Sequence, residues 1–266
     1  MIKERITDVL GRVPLGGRAL RWYANQYHEG SVIKIKQGHA ANLLWKRHHR
    51  YVNGYWIGHY EFPIQNALKR LLKPGDIFFD VGANAGFFTL LGARLVGEQG
   101  KCIAFDPSPD NVRSISEQIK LNAFRHCTVV NEAVSDVEGV ADFFFETPGS
   151  PVGHLGESKN GEQSMTVPVT TLDRAVERFG SPDFVKVDIE GAEGLALSAA
   201  TKVLRKIRPI WLIELHGEEC EKTVHEIMLS AQYEFFDLNG IRLQSNEALP
   251  GHFVAKPRSS ESLTSN

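Results

Sequence analysis

The chain has 266 residues, 42% of them apolar, and a formal net charge of −2 at pH 7. That composition supplies a sizeable core, excludes global disorder and argues against a general binder of polyanions. The three cysteines, Cys102, Cys127 and Cys220, form no CxxC pair. They therefore indicate neither a zinc site nor a disulfide framework and read as buried free thiols.

Residues 1–30 mix charges throughout and read as one or two short helices broken around Pro14, Gly16 and Gly17. They lack the apolar core of a signal peptide. No stretch reaches the ~18 apolar residues of a spanning helix. A soluble, cytoplasmic protein is expected. Next, "VIKIK" alternates as a strand does. Trp45, Tyr51, Tyr55, Trp56 and Tyr60 crowd together among basic residues. Most of these rings read as an apolar layer with Lys46, Arg47 and Arg50 in water. Trp56, Tyr60 and Glu61 are set apart as ligand-facing because they immediately precede the regular alternation of strands and helices that follows. A helix over residues 63–73 is stopped by "KPGD".

From Asp76 a rhythm appears. The spacing predicts strands at "IFFDV", "KCIAFD" and "CTVVNEAV", with helices over 85–96 and 108–122 between them. "GVADFFF" and "SMTVPVTT" alternate and read as a hairpin. The intervening Gly-, Ser- and Pro-rich segment 146–164 reads as a long loop, with His154 solvated. A helix over 171–179, capped by Thr171, precedes the strand "FVKVD". Helices over 192–204 and 218–230 flank the strand "IWLIELH", and "YEFFDL" and "GHFVA" close the chain as strands. Such alternation predicts an α/β domain with a mainly parallel sheet covered by helices. The expected division is an N-terminal extension over 1–60, a main domain over 61–256 and a disordered tail over 257–266.

Three stretches carry chemistry. In "FFDVGANAGFFT", Asp80 ends a strand, and Gly82, Asn84 and Gly86 lead into a helix. Ligands of open α/β sheets bind beyond the strand C-termini, and a helix N-terminus there favours an anion. Asp106 ends the next strand, where a carboxylate accepts from ribose hydroxyls. Together these parts suit a nucleoside with a zwitterionic arm. The pattern is GxxxG rather than GxGxxG, which opposes a dinucleotide. In "VKVDIEGAE", Asp188, Glu190 and Glu193 follow an apolar strand, and Glu193 reads as a helix-start acid. In "LIELH", Glu214 and His216 end the following strand. If those strands are neighbours, four carboxylates and an imidazole converge. Like charges cluster only where a proton or cation is shared, so the cluster reads as functional.

Taken together, "GHYE", "LKPGDIFFDVGANAGFFTLLGARLVGEQG", "AFDPSPDNV", "NEAVSD", "VPVTTLD", "FVKVDIEGAE" and "LIELH" resemble the FkbM-type family of S-adenosylmethionine-dependent methyltransferases. The resemblance covers about Tyr60 to Val254. It implies a Rossmann-like class I methyltransferase fold, with a seven-stranded sheet in which only the last strand is antiparallel. It also implies O-methylation of a sugar or secondary-metabolite hydroxyl, without nucleic acid or membrane span. Carried over, the cofactor contacts are Glu61, Asp80, Gly82, Asn84, Gly86, Asp106, Pro107, Ser108, Ala133 and Asp188. The catalytic candidates are Asp188, Glu190, Glu214 and His216, and Asn131 and Val134 match the segment near the adenine. Direct transfer with one of these groups as base is expected. A Mg²⁺-like ion among Asp188, Glu214 and His216 is the less favoured variant, because imidazole is not a usual ligand of a hard cation. A nicotinamide-dependent oxidoreductase, a non-catalytic nucleoside-binding module and RNA methylation are the rivals.

Overall fold

The computed structural model describes residues 27–51, 54–147, 150, 152–158 and 161–258. The helices expected before residue 27 and the tail beyond 258 lie outside the described residues. The rest falls into two compact units, one ending at Phe62 and one beginning at Pro63.

In the first unit, β1 (Val32–Lys34) and β2 (Leu44–Lys46) pair antiparallel, Ile33 opposite Trp45. A 3₁₀ turn, Tyr55–Ile57, follows. Trp45, Tyr51 and Tyr55 are buried, with centroids of Trp45 and Tyr55 at 5.2 Å and of Tyr55 and Tyr60 at 4.5 Å. The basic side chains are not all in water as the sequence suggested. Arg47 is buried, its guanidinium 3.5 Å from the Tyr27 ring centre and 4.7 Å from that of Trp56. A planar, weakly hydrated cation stacks on rings more readily than an ammonium does.

α1 (Phe62–Leu71) starts at the last residue of the first unit, and the second unit continues with β3 (Ile77–Val81), α2 (Phe87–Val96), β4 (Lys101–Phe105), α3 (Pro109–Leu121) and β5 (Cys127–Val130). After β6 (Ala133–Val134), β7 (Gly139–Phe145), β8 (His154–Leu155) and β9 (Gln163–Thr170) come α4 (Leu172–Phe179), β10 (Phe184–Val187) and α5 (Glu193–Ser198). β11 (Ile210–Glu214), α6 (Glu218–Ser230), β12 (Tyr233–Phe236) and β13 (His252–Pro257) complete it. Seven strands form one sheet in the order β12-β13-β11-β10-β3-β4-β5, and only β13 runs antiparallel to its neighbours.

Alternation along the strands sorts the two faces. Phe79, Val81, Ile103, Phe105, Val185, Val187, Trp211 and Ile213 join one core with residues of α4, α5 and α6. On the opposite face, Gly92 of α2 lies against Phe78: a Cβ there would meet the Phe78 ring at 2.3 Å. Asp80 and Lys186 are paired neighbours on that face. β10 and β11 are parallel neighbours, so their C-terminal ends lie side by side.

Local departures from the sequence reading have identifiable causes. "CTVVNEAV" is two strands, because the Asn131 amide donates to the carbonyls of Asp106 (3.1 Å) and Pro107 (2.8 Å) and turns the chain. β6 then joins a second sheet of order β6-β9-β7-β8, built on the expected β7–β9 hairpin. The 146–164 segment contributes the short β8, where His154 bonds Glu162 at 2.9 Å. The helix expected over 192–204 ends at Ser198, and a π segment, Val203–Ile207, follows. Asp173 caps its start by accepting from the amides of Lys202 and Val203. Thr171 caps α4 as expected. Among the described residues, no helix is long and apolar enough to cross a membrane.

Candidate active site

The ends of β3, β4, β10 and β11 build one site. After β3 the chain turns at once, and the amides of Gly82 and Ala83 both donate to the Phe105 carbonyl at 3.0 Å. Asn84 adopts a left-handed conformation (φ 49°) and Gly86 leads into α2. Asp80 is fully buried. Its Oδ2 accepts from the Thr89 hydroxyl at 2.6 Å, and its Oδ1 is 3.9 Å from the Lys186 ammonium. Burial pushes the Asp80 carboxyl up, while Lys186 and Thr89 oppose the shift.

Asp106 points into its own loop. It accepts from the amides of Asn84 (2.8 Å) and Ser108 (2.9 Å) and from the Asn111 side chain (3.1 Å). It thus ties the glycine turn to the start of α3. Burial pushes its carboxyl up to about 7 despite these donors. Ser108 is the N-cap of α3, Pro107 is half-buried, and Ala133 is buried in β6. Glu61 belongs to the first unit, directly before α1, with φ 41°.

The second half of the site centres on His216. Its Nε2 is 4.0 Å from Asp188 Oδ1, 3.8 Å from Glu214 Oε1 and 3.5 Å from Glu190 Oε2. The four catalytic candidates of the sequence therefore come together. The two halves of the site also touch: the Asp188 amide donates to the Val81 carbonyl at 3.0 Å. A Cβ on Gly82 would stand 1.8 Å from the Asp188 carbonyl oxygen.

Two participants, Lys186 and His252, escaped the sequence reading, and a third, Glu193, was read only as a helix-start acid of the cluster. Lys186, buried in mid-strand, donates to Asp188 Oδ2 at 3.0 Å; its signal was the single cation inside "FVKVD". His252 of β13 lies with Nε2 3.0 Å from Glu214 Oε2, and no local pattern marks it. Glu193 does more than start a helix. Its buried carboxylate accepts from His216 Nδ1 (2.9 Å), the amides of Ile189 (3.1 Å) and Gly191 (3.2 Å), and the Cys220 thiol (2.9 Å). That hydrogen bond is the main cause pushing His216 up to about 9, so the imidazole is protonated at neutral pH. Burial pushes the Cys220 thiol up to about 11, and Glu193 adds to it. Burial also raises Glu190. For Glu214 burial opposes, but the His252 hydrogen bond and the nearby cations hold it below the usual carboxylate range.

A sheet of this strand order, with a glycine turn after its first strand and carboxylates ending the second, fourth and fifth, has the class I methyltransferase fold. The FkbM methyltransferase domain matches residues 80–236, more than half of the chain. The protein belongs to that family and is a methyltransferase. No curated protein matches the chain. Among solved structures, an FkbM methyltransferase from Methylobacillus flagellatus is 14% identical, with 90% of this chain and 58% of that one covered and a TM-score of 0.47. A precorrin-6y C5,15-methyltransferase from Geobacter metallireducens is 12% identical, with 75% and 89% covered and a TM-score of 0.47. An S-adenosylmethionine-dependent O-methyltransferase from Thermotoga maritima is 10% identical, with 88% and 80% covered and a TM-score of 0.46.

Proposed function

We propose that the protein transfers the methyl group of S-adenosylmethionine to a hydroxyl of a small acceptor, a sugar or secondary metabolite. The observation that carries this reading is the contact between Gly82 and Asp188, which sets the glycine turn directly against the carboxylate cluster. Two orphaned acceptors support the fit of the donor. Asp80 Oδ1 and Asn84 Oδ1 are buried and have no hydrogen-bond partner among the described residues. An ammonium-bearing arm satisfies them. The N-terminus of α2 has no side-chain cap, so its first amides suit the arm's carboxylate. Asp106 and Asn131 hold the turn of Pro107 and Ser108, against which the nucleoside would rest.

When bound, S-adenosylmethionine supplies an electrophilic methyl group on a sulfur that leaves as a neutral sulfide. The chain's own residues position and deprotonate the acceptor. Most of the acceleration comes from holding donor and acceptor in line. Asp188 and Glu214 are the groups to take the hydroxyl proton, because His216 is already protonated at neutral pH. Glu190, at the exposed rim, is the outlet from that cluster to solvent.

Calorimetry on the intact protein tests the reading. S-adenosylmethionine or its demethylated product should bind in the micromolar range or tighter, about −8 kcal/mol. Asp80→Asn should weaken that binding by ~10-fold, the value of one hydrogen bond to a charged group. Binding of NADH in place of the sulfonium cofactor would overturn the assignment in favour of an oxidoreductase.

A further inference from the structure

The net charge of −2 conceals a segregation along the chain. Residues 1–62 hold ten of the 30 Lys and Arg but only four of the 32 Asp and Glu, which leaves +6 there and −8 in the rest. The one acid between residues 27 and 60, Glu29, is engaged by His48 Nδ1 at 2.6 Å and by the His49 amide at 2.7 Å. The register of β1 and β2 decides where the cations stand. Opposite residues of an antiparallel pair share a face. Val32 with Lys46 and Lys34 with Leu44 therefore lie on one side of the ribbon, and Ile33 with buried Trp45 on the other. The first side carries Val32 at 49% exposure, an exposed Lys34, and half-buried Leu44 and Lys46. It is a checkerboard of aliphatic and ammonium groups, and exposed Lys36 follows it in the chain. The aromatic rings of this unit are turned elsewhere. Trp45, Tyr51 and Tyr55 are buried, Tyr27 lies 3.5 Å from the Arg47 guanidinium, and Trp56 faces Arg47 at 4.7 Å and Lys36 at 5.7 Å.

We propose that the ribbon face of Val32, Lys34, Leu44 and Lys46 docks on an anionic lipid surface and holds the methyltransferase peripherally at a membrane. A single-stranded nucleic acid needs rings on which its bases stack, and this face displays none. A headgroup layer suits it instead. Lysine stems lie along apolar surface while their ammonium groups reach the phosphates, and the aliphatic groups between them enter the boundary of headgroup and acyl chain. The N-terminal sequence carries the same chemistry independently. Ile2, Ile6, Val9, Leu10 and Val13 recur with the 3.6-residue period, and Arg5, Asp8 and Arg12 fall off that stripe. Basic amphipathic sequences of this kind are a signature of membrane surfaces. Docking by charge and shallow apolar contact needs no spanning helix, and among the described residues there is none. The proposal does not depend on the identity of the methyl acceptor.

Co-sedimentation of the full chain with vesicles tests it, comparing pure phosphatidylcholine with phosphatidylcholine mixed with phosphatidylglycerol. The protein should pellet with the anionic vesicles only. Raising salt from about 0.1 M to about 1 M shortens the screening length from about 10 Å to about 3 Å and should weaken binding at least ~10-fold. Lys34→Gln and Lys46→Gln should each cost ~5-fold, the contribution of one lysine near an anionic surface. Val32→Asn should cost at least ~3-fold, because insertion scales with apolar area. Circular dichroism checks that each variant is folded, and the salt series is read on the unsubstituted protein, so the test survives a variant that fails to fold. Equal binding to both vesicle types, no binding to either, or anionic binding unchanged in a folded Lys34→Gln/Lys46→Gln double variant overturns the docking face. Retention of a single-stranded RNA oligonucleotide without vesicle binding overturns it in favour of nucleic acid.

Discussion

Gly82→Ala is the sharpest perturbation available at this site. The added Cβ would stand 1.8 Å from the Asp188 carbonyl oxygen, where ordinary contact begins near 3.4 Å, so the two strand ends must separate by about 1.6 Å. Position 82 also has φ +81°, which costs a non-glycine residue roughly 1–2 kcal/mol. Separation threatens two backbone hydrogen bonds, Asp188 to Val81 and Gly82 to Phe105, each contributing about 0.5–1.5 kcal/mol. The sum is about 2–5 kcal/mol, a large share of a typical domain's stability. Gly75→Ala is the matched control, with φ +94° and open space around the new Cβ, so it should cost only the ~1–2 kcal/mol of conformation. Urea denaturation followed by circular dichroism measures both, and calorimetry gives cofactor affinity. At permissive temperature Gly82→Ala should also lose ~10²-fold in transfer rate, since a 1 Å misplacement of a reacting group costs about that much. If Gly82→Ala is as mild as Gly75→Ala and binds cofactor normally, the contact between the two halves of the site is not what positions Asp188.

Lys186→Met should destabilise the protein by ~3–5 kcal/mol, because it leaves buried Asp80 and the adjacent Asp188 without their shared cation; chemical denaturation reads it. Asp106 carries a pH signature. Its folded value of about 7 lies above the ordinary value of 3.8, so between those pH values the folded chain keeps a proton that the unfolded chain has released. Stability should therefore fall as pH rises from about 4 to about 7, by at most ~4 kcal/mol at about 1.4 kcal/mol per pH unit, and flatten above. Size-matched Asp106→Asn should abolish that slope in urea midpoints taken at pH 5 and pH 8. A slope that persists in the variant would assign it to another group.

Much of the fold was legible because the main sheet is built from local patterns. Each strand is a short apolar run, and some helices carry their own cap, as Ser108 and Thr171 do for α3 and α4. The strand-end acids were legible for the same reason. In a parallel sheet, the residue after an apolar run lies at the ligand edge whatever its neighbours are. The break between β5 and β6 was not legible, since the Asn131 bonds that cause it reach back more than twenty residues, to Asp106 and Pro107.

What the sequence determined by itself was the class of fold, the glycine turn and the chemical identity of the cluster, because these follow from residue type and spacing along the chain. What only the tertiary structure decided was which atom of each side chain faces which partner. Lys186 became the cation shared by Asp80 and Asp188 because β10 pairs with β3 in that register. His252 became a partner of Glu214 because antiparallel β13 sets the two opposite each other. Glu193 turned from a helix-start acid into the carboxylate that orients His216 because α5 leaves the site with that side chain buried. Hydrogen bonds are short and directional, so their partners depend on distances across the sheet, which a one-dimensional pattern does not contain.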